Sequence, residues 1–290
     1  MRAQLLLSAV AALAITSANA ADLAKGKKAP PAPVVVSPWD YTVGAGLTSN
    51  YIFRGISQSD NGAGVNANAE LRYTFSDTFA GYIGAAGSSI KLTNQQSSPT
   101  MELDAIGGVR ATLGAFTVDV GAIGYIYPNT TKGVIFVTNP TWYEGYVKTS
   151  YAVNENITLG VNGFFTPSYL DTSANGQYVS GTFAWKLPMD FAISGELGRQ
   201  FLGKTDAVHA PYSGRTSLPD YTYWNVGASY SYKIATLDLR YHDTTLNKNK
   251  CSDITGPTNG VFSGSSIQSK YCGAAFVGTL SFALTAKDIK

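Results

Sequence analysis

The residues of this 290-residue chain that could do chemistry are charged side chains within stretches where apolar and polar residues alternate. A period of two puts alternate side chains on one face of a β-strand. Charged side chains on one face of neighbouring strands are typical of the wall of a water-filled barrel. The candidate lumen-lining residues are Arg54, Glu70, Arg72, Glu102, Asp104, Arg110, Asp119, Glu144, Lys148, Glu196, Asp238, Arg240 and His242.

The signs of these candidates nearly balance. Seven are acids, and with Lys186 six are bases. No ring of one sign results, so a passage lined with basic residues for acidic sugars is not favoured. The balance predicts weak or no ion preference.

An enzyme is a weaker interpretation of the same residues. Hydrolytic catalysis of the serine type needs a Ser–His pair with an orienting group. The two histidines are His209, in a long connection, and His242, which shares a polar face with Asp238 and Arg240. Neither has a nucleophile at a suitable spacing, and no phosphate-binding loop, zinc motif or haem motif occurs. We expect no catalytic residues, no metal and no cofactor.

The two cysteines, Cys251 and Cys272, are separated by twenty residues. In an exported chain such a pair favours a disulfide over a metal site, because the envelope outside the inner membrane is oxidising. The bond would stabilise the loop that it closes by about 3 kcal/mol in the chain-entropy model. Two free thiols are the alternative.

The N-terminus predicts export. Residues 1–20 contain a basic start at Arg2, an apolar run and a small-x-small end at Ala18-Asn19-Ala20. This is the pattern of a signal peptide cleaved after Ala20, and the run is too short for a membrane anchor. Residues 21–38 are rich in Lys, Ala and Pro, which indicates an extended leader. Without Arg2, the chain has 20 basic and 19 acidic residues, so nothing resembles a nucleic-acid footprint.

From Trp39 onward the chain predicts strands and little else. Each is at least as long as the roughly 9–11 residues that a tilted strand needs to cross a bilayer. The predicted strands are 39–54, 62–76, 78–92, 100–113, 115–127, 140–153, 156–168, 176–187, 190–201, 221–233, 234–246 and 270–285.

The connections between these strands alternate between short and long along the whole chain. Short turns are expected at Ser76-Asp77, Gly114, Asn154-Glu155, Pro188-Met189 and Lys233-Ile234. The longer connections are 55–61, 93–99, 128–139, 169–175, 202–220 and 247–269. A membrane barrel has this rhythm, because hairpin turns face the periplasm and loops face outward. The chain therefore predicts an all-β, antiparallel, up-and-down transmembrane barrel of about twelve strands.

Aromatic residues cluster at the ends of predicted strands, where an interfacial girdle is expected. The clusters are Tyr51 and Phe53, Tyr125 and Tyr127, Trp142 and Tyr143, and Tyr221 and Tyr223.

The segment TSNYIFRGISQSDNG (48–62) carries a family resemblance. It resembles the first-strand motif of the TorF family of porins, also called the Gcw_chp family. Similar patterns follow at MELDAIGG (101–108), DVGAIGYIYP (119–128), WYEGYVKTSYAV (142–153) and across 223–246. The resemblance implies an outer-membrane barrel that acts as a porin. Within the motif we expect Tyr51 and Phe53 at the outer rim, and Arg54 on the other face, meeting a carboxylate in the barrel mouth.

The leading functional hypothesis is passive diffusion of small hydrophilic solutes or ions through a narrow, weakly selective lumen in the cell outer membrane. Twelve strands lie between the side-chain-filled barrels of eight and the open porins of sixteen. The alternative is a closed structural or adhesive barrel, in which the acids and bases pair across the lumen. The expected partners are outer-membrane lipid and lipopolysaccharide, small hydrophilic solutes, and the barrel-assembly machinery during insertion.

Overall fold

A computed structural model describes residues 37–91, 99–128, 141–206, 215–256, 268–286 and 288. The predicted signal peptide, nearly all of the predicted leader, and His209 lie outside these residues. Twelve strands close an antiparallel barrel, which confirms the predicted fold class and strand number. The barrel strands are β1 (Trp39–Thr48), β4 (Gly64–Thr74), β5 (Phe79–Ser89), β6 (Met101–Leu113), β7 (Phe116–Ile126), β8 (Trp142–Ala152), β9 (Ile157–Thr166), β10 (Gly176–Lys186), β11 (Phe191–Leu202), β12 (Tyr221–Tyr232), β13 (Ala235–Thr244) and β14 (Ala275–Thr285).

Each barrel strand pairs with its neighbours in the chain, and the last pairs with the first. β1 and β14 are joined in register from Thr42 opposite Thr285 to Thr48 opposite Thr279. The connections alternate as predicted: five short turns define one end of the barrel, and six longer connections define the other. We call these the short-turn end and the long-loop end. The first and the last barrel strand begin and end, respectively, at the short-turn end.

Alternate residues of each strand point outward and inward. In β12, Trp224, Val226 and Tyr230 are exposed, whereas Asn225 and Ser229 are buried. The barrel's outer surface is therefore apolar and its lumen polar. A polar lumen inside an apolar belt suits a barrel surrounded by lipid, because an outward charge at mid-membrane costs about 2–4 kcal/mol.

Most of the aromatic residues predicted to form the interfacial girdle do not lie on the outer surface. Seven of the eight residues named for it are buried inside the barrel, and only Tyr143 is outward and exposed. Five of them have the inward parity of β7, β8 or β12. Tyr51 and Phe53 follow β1, where the chain has left the wall. All seven rings therefore pack in the lumen and not at a lipid interface. Other aromatic residues are exposed at the two ends of the outer surface. At the short-turn end they include Trp39, Phe75, Phe79, Tyr151, Trp185, Phe191 and Tyr232, and at the long-loop end Tyr143, Phe165, Phe201, Trp224 and Phe276.

The predicted first strand, 39–54, is too long. β1 ends at Thr48, and residues 49–63, which we call the inner loop, turn away from the wall. The inner loop contains a small antiparallel hairpin of β2 (Ile52–Phe53) and β3 (Ile56–Ser57). Arg54, Gly55, Asp60 and Asn61 have positive φ angles, which an extended strand does not contain.

Two connections hold short helical elements that the period-two pattern did not predict, the last one and the one between β9 and β10. A short helix, α1 (Lys248–Thr255), begins at Asn247, whose side-chain oxygen accepts a hydrogen bond from the Lys250 amide at 2.9 Å. Cys251 of this helix is disulfide-bonded to Cys272, which confirms the predicted bond. A second short element is a 3₁₀ turn at Tyr169–Asp171.

None of the helices in the described ranges is both long and apolar enough to cross a membrane.

Candidate functional site

The inner loop crosses the lumen at the long-loop end. The chain leaves the wall after β1. In the inner loop, the Arg54 guanidinium donates two parallel hydrogen bonds to the Glu144 carboxylate of β8, at 2.9 and 2.7 Å. It also donates to Gln200 Oε1 of β11 at 3.0 Å. These strands lie five and four places from β1 around the twelve-stranded ring. The loop that follows β1 is therefore bonded to the far side of the barrel.

The contact of Arg54 with Glu144 and Gln200, which we call the clamp, is buried and therefore costly to break. Arg54 is 6% exposed and Glu144 is completely buried. The guanidinium carbon also lies 4.8 Å from the ring centres of Phe53 and Phe164 and 4.3 Å from that of Tyr178. Removal of one partner from a buried ion pair leaves a charge without compensation, which costs about 3–5 kcal/mol. The clamp therefore favours one position of the inner loop.

Gly55 allows the chain to turn directly after Arg54. Its φ is +83°, in the region that glycine adopts without strain. A Cβ atom at this position would lie 2.9 Å from Thr244 Cβ and 3.0 Å from Tyr223 Cδ2. The backbone therefore packs so closely against β12 and β13 that there is no room for a side chain at this position.

Polar side chains fix the rest of the inner loop. Ser57 Oγ donates to Asn50 Oδ1 at 2.7 Å and accepts a hydrogen bond from the Asn61 amide at 2.8 Å. Ser59 Oγ accepts from the Tyr51 amide at 2.9 Å. These bonds satisfy polar groups that are shielded from water and thereby define one conformation.

The disulfide-bonded connection packs on the inner loop. The Ser57 amide donates to the Tyr271 carbonyl at 2.7 Å, and Ile56 forms an antiparallel bridge with Cys272. Asp60 makes ion pairs with Lys270 at 2.9 Å and with Lys91 at 3.4 Å. Burial raises the pKa of Asp60, but the two lysines outweigh it, so this pKa lies below its ordinary value of 3.8. The first and last long connections therefore form one interlocked unit.

Two acids of β6 lie beneath this unit. The Glu102 carboxylate accepts hydrogen bonds from the hydroxyls of Tyr51, in the inner loop, and Tyr127. Asp104 follows on the same inward face and is 5% exposed. Neither acid has an ion-pair partner among the residues that the structure describes.

Toward the short-turn end, charged residues pair along the wall. Arg110 and Asp119 are register partners on adjacent strands, 2.9 Å apart. Arg240 pairs at 2.9 Å with Asp238 of its own strand and donates to Ser194 Oγ at 2.7 Å. Arg72 pairs with Asp40, its register partner. Glu70 lies 3.9 Å from Arg110.

A comparison with known protein families identifies the family of this chain. The family model described as "Bacterial protein of unknown function (Gcw_chp)" matches residues 33–265. The chain belongs to the Gcw_chp family. None of the curated proteins matches it.

Three solved structures are similar to this Gcw_chp protein. A chain from the study "Unveiling the Mechanism Behind the in-meso Crystallization of Membrane Proteins" is 13% identical, with a TM-score of 0.50 over 86% of this chain and 84% of that one. The NanC porin is 12% identical, with a TM-score of 0.48 and coverages of 84% and 100%. The COG4313 outer membrane channel from Pseudomonas putida F1 is 10% identical, with a TM-score of 0.46 and coverages of 89% and 100%. At these identities the likeness concerns the fold alone.

All thirteen predicted lumen residues of the Gcw_chp protein lie in the described part of the chain, and eleven of them are buried. The other two are half-buried: Lys148 Nζ lies 4.2 Å from the ring centre of Tyr146, and Glu196 accepts from Tyr178 at 2.9 Å. His242 Nδ1 is 2.8 Å from the Tyr223 hydroxyl. Lys186, named for charge balance, is exposed at the end of β10.

Sequence reasoning missed the uncharged partners. Gln200 accepts a hydrogen bond from Arg54, and Tyr51 and Tyr127 donate to Glu102. Strand parity is the signal that would have found Gln200, because it has the same parity as Glu196 on β11.

Proposed function

We propose that the protein is an outer-membrane channel through which small hydrophilic solutes or ions diffuse passively, and that the inner loop sets its narrowest point. The observation that carries the proposal is the contrast between wall and lumen. The outer surface is an apolar belt, and the inward face holds charged residues that pair along the wall toward the short-turn end.

The lumen-crossing clamp makes the channel narrow. A loop that joins β1 to β8 and β11 through Arg54 divides the mouth of the barrel and leaves less room for solutes. Polar residues that line a constriction decide which solutes pass. Most lumen charges are neutralised by a partner, which supports weak ion selectivity.

A closed structural or adhesive barrel is the second candidate. The bidentate Arg54–Glu144 pair and the interlock with the disulfide-bonded connection favour it, because a rigid plug needs contacts of this kind. The two candidates differ in whether water passes beside the inner loop.

Planar-bilayer recording of the refolded protein, with a salt gradient, separates them. The channel predicts discrete, small conductance steps and a reversal potential near zero. A large reversal potential would contradict weak selectivity. Insertion without any steps, in a preparation whose closed barrel is verified by its heat-modifiable migration, would contradict the channel and favour the closed barrel.

The proposal includes the export, insertion and orientation of the barrel. Export would use the signal peptide and cleavage after Ala20, and the barrel-assembly machinery would insert the chain among lipid and lipopolysaccharide. The long loops would face outward, and residues 21–38 would form a periplasmic leader. We likewise propose that the protein is a TorF porin, that the thirteen candidate residues line its lumen, and that it has no enzymatic activity.

A further inference from the structure

The β6 acids differ from the other buried acids of the lumen. Asp119, Glu144 and Asp238 each lie within 2.9 Å of an arginine nitrogen. Glu102 and Asp104, which are 3% and 5% exposed, have no ion pair in the described part of the chain. Two adjacent inward carboxylates therefore lack the countercharge that the others have.

The two acids also differ from each other. Each oxygen of Glu102 accepts one hydrogen bond, from the Tyr51 hydroxyl or the Tyr127 hydroxyl, and keeps a further lone pair for a ligand. Asp104 Oδ1, by contrast, is shielded from water and has no hydrogen-bond donor among the residues that the structure describes.

This combination points to a missing cation. An ionised carboxylate buried without a partner is costly, and proteins avoid it with a countercharge or a coordinated metal. Asp104 lies close enough to Glu102, Tyr51 and Tyr127 to interact with all three electrostatically. These groups bring several oxygen atoms together near Asp104, and oxygen is what hard cations bind.

We propose that Glu102 and Asp104 form a binding site for one divalent cation, with Ca²⁺ preferred, beneath the inner loop. Two carboxylates balance the charge of one divalent ion. Ca²⁺ accepts irregular oxygen ligands, whereas Mg²⁺ requires a near-octahedral shell and gives up its water reluctantly. The inference adds a ligand to the lumen wall and holds for a conducting or a closed barrel.

The affinity is expected to be modest. The described residues contain no group of three or more His, Cys, Asp or Glu side chains that could hold a metal ion. Sites with little charge and few protein ligands, as in extracellular calcium modules, bind with dissociation constants of about 0.1–1 mM. Because Tyr51 belongs to the inner loop, bound Ca²⁺ also stabilises that loop.

The test is thermal unfolding of the mature chain, refolded in detergent and stripped with a chelator, at pH 7.4 and constant ionic strength. Ca²⁺ at roughly ten times the expected dissociation constant raises the unfolding midpoint by a few degrees, since a ligand stabilises the state that binds it. Mg²⁺ raises it less, and Na⁺ at equal ionic strength leaves it unchanged. Isothermal titration gives about one Ca²⁺ per chain.

Asp104→Asn keeps the shape of the side chain and removes its charge. It loses most of the Ca²⁺ shift and, without Ca²⁺, unfolds at a higher temperature than the wild type. Glu102→Gln also loses the shift. Asp77→Asn, an identical change in an exposed turn at the opposite end, retains it.

Three results would overturn the proposal. The first is a wild type that responds to no divalent cation, which would indicate that Asp104 instead carries a proton. The second is an equal shift in the wild type and Asp104→Asn. The third is an equal loss of shift in Asp77→Asn. None of these measurements requires a conducting pore, so failure here is distinguishable from failure of the channel.

Discussion

At the long-loop end of the lumen Arg54 pairs with a residue 90 positions away, whereas toward the short-turn end Arg110 and Arg240 pair with residues 9 and 2 positions away. The first contact crosses the lumen and the others follow the wall. Strand register alone brings Arg110 to Asp119, because the two are register partners of β6 and β7. Arg54 reaches Glu144 only because the inner loop leaves the wall.

The comparison separates two roles for the same residue types. Wall pairs neutralise charge where the strands already place them. The Arg54 clamp instead fixes a movable segment, and a second connection, closed by Cys251–Cys272, packs against that segment. The account therefore predicts that changes at the long-loop end affect permeation, and that changes at the wall pairs affect it little.

Removal of the inner loop should have the largest effect. Thr48 and Gly64 are register partners, so a few Gly and Ser residues can replace 50–62 and still join β1 to β4. Single-channel conductance is expected to rise several-fold, because the segment across the lumen is gone. Heat-modifiable migration checks that the barrel is closed. Unchanged conductance would remove the distinction between the two ends.

Arg54→Ala should have the next largest effect. It leaves Glu144 buried without a countercharge, and we expect a loss of about 3–5 kcal/mol in the free energy of unfolding, measured by urea denaturation in detergent. Glu144→Gln on top of Arg54→Ala removes the uncompensated charge and should restore part of the loss. Arg54→Lys keeps a charge but not the bidentate geometry, so its loss should be intermediate. Equal stability of all four proteins would show that the clamp is not formed.

Opening of the disulfide should have a smaller effect. The bond stabilises the last connection by about 3 kcal/mol in the chain-entropy model, and this connection holds Ile56 and Ser57. Reduction should accelerate amide hydrogen exchange over 56–61 and increase current fluctuations, with little change in the strands. The Cys251→Ser, Cys272→Ser double variant is the control and should not respond to the reductant. Exchange that is unchanged on reduction would mean that the two connections are independent.

Acid should have the smallest effect. Because the pKa of Asp60 is lowered, its pairs with Lys270 and Lys91 are present above the ordinary value of 3.8 and are lost as pH falls through the lowered value. Hydrogen exchange of the inner loop should therefore stay constant from neutral pH to about 4 and increase in stronger acid, after correction for the intrinsic rate. Asp60→Asn should exchange faster at neutral pH and show less of the acid increase. An identical pH response in both proteins would exclude Asp60 as the cause.

The barrel itself could be predicted from the sequence, and the reason is local. A period of two fixes which residues face out and in, as at Trp224 and Asn225, and turn residues fix where a strand ends. The Cys251–Cys272 disulfide could also be predicted, because two cysteines of an exported chain allow only one pairing.

The inner loop was not predictable in this way. Tyr51 and Phe53 continue the alternation of β1, so the pattern gives no reason to end the strand at Thr48. The reason lies in Glu144 and Gln200, which stand 90 and 146 positions from Arg54. Tyr51 and Phe53 were assigned to the aromatic girdle for the same reason, because only the contacts with these distant residues show that the chain has left the wall.

The most direct test of the account is a side-by-side recording of single-channel conductance for Arg54→Ala and Arg110→Ala. Each variant removes one buried arginine. Arg54→Ala removes it from Glu144 at the clamp, and Arg110→Ala removes it from Asp119 and Glu70 at the wall. We predict that Arg54→Ala raises the conductance and its fluctuations clearly above the wild type, because its loop narrows the lumen, while Arg110→Ala stays close to the wild-type value. Equal changes in the two variants, or a larger change in Arg110→Ala, would contradict the claim that the inner loop sets the narrowest point.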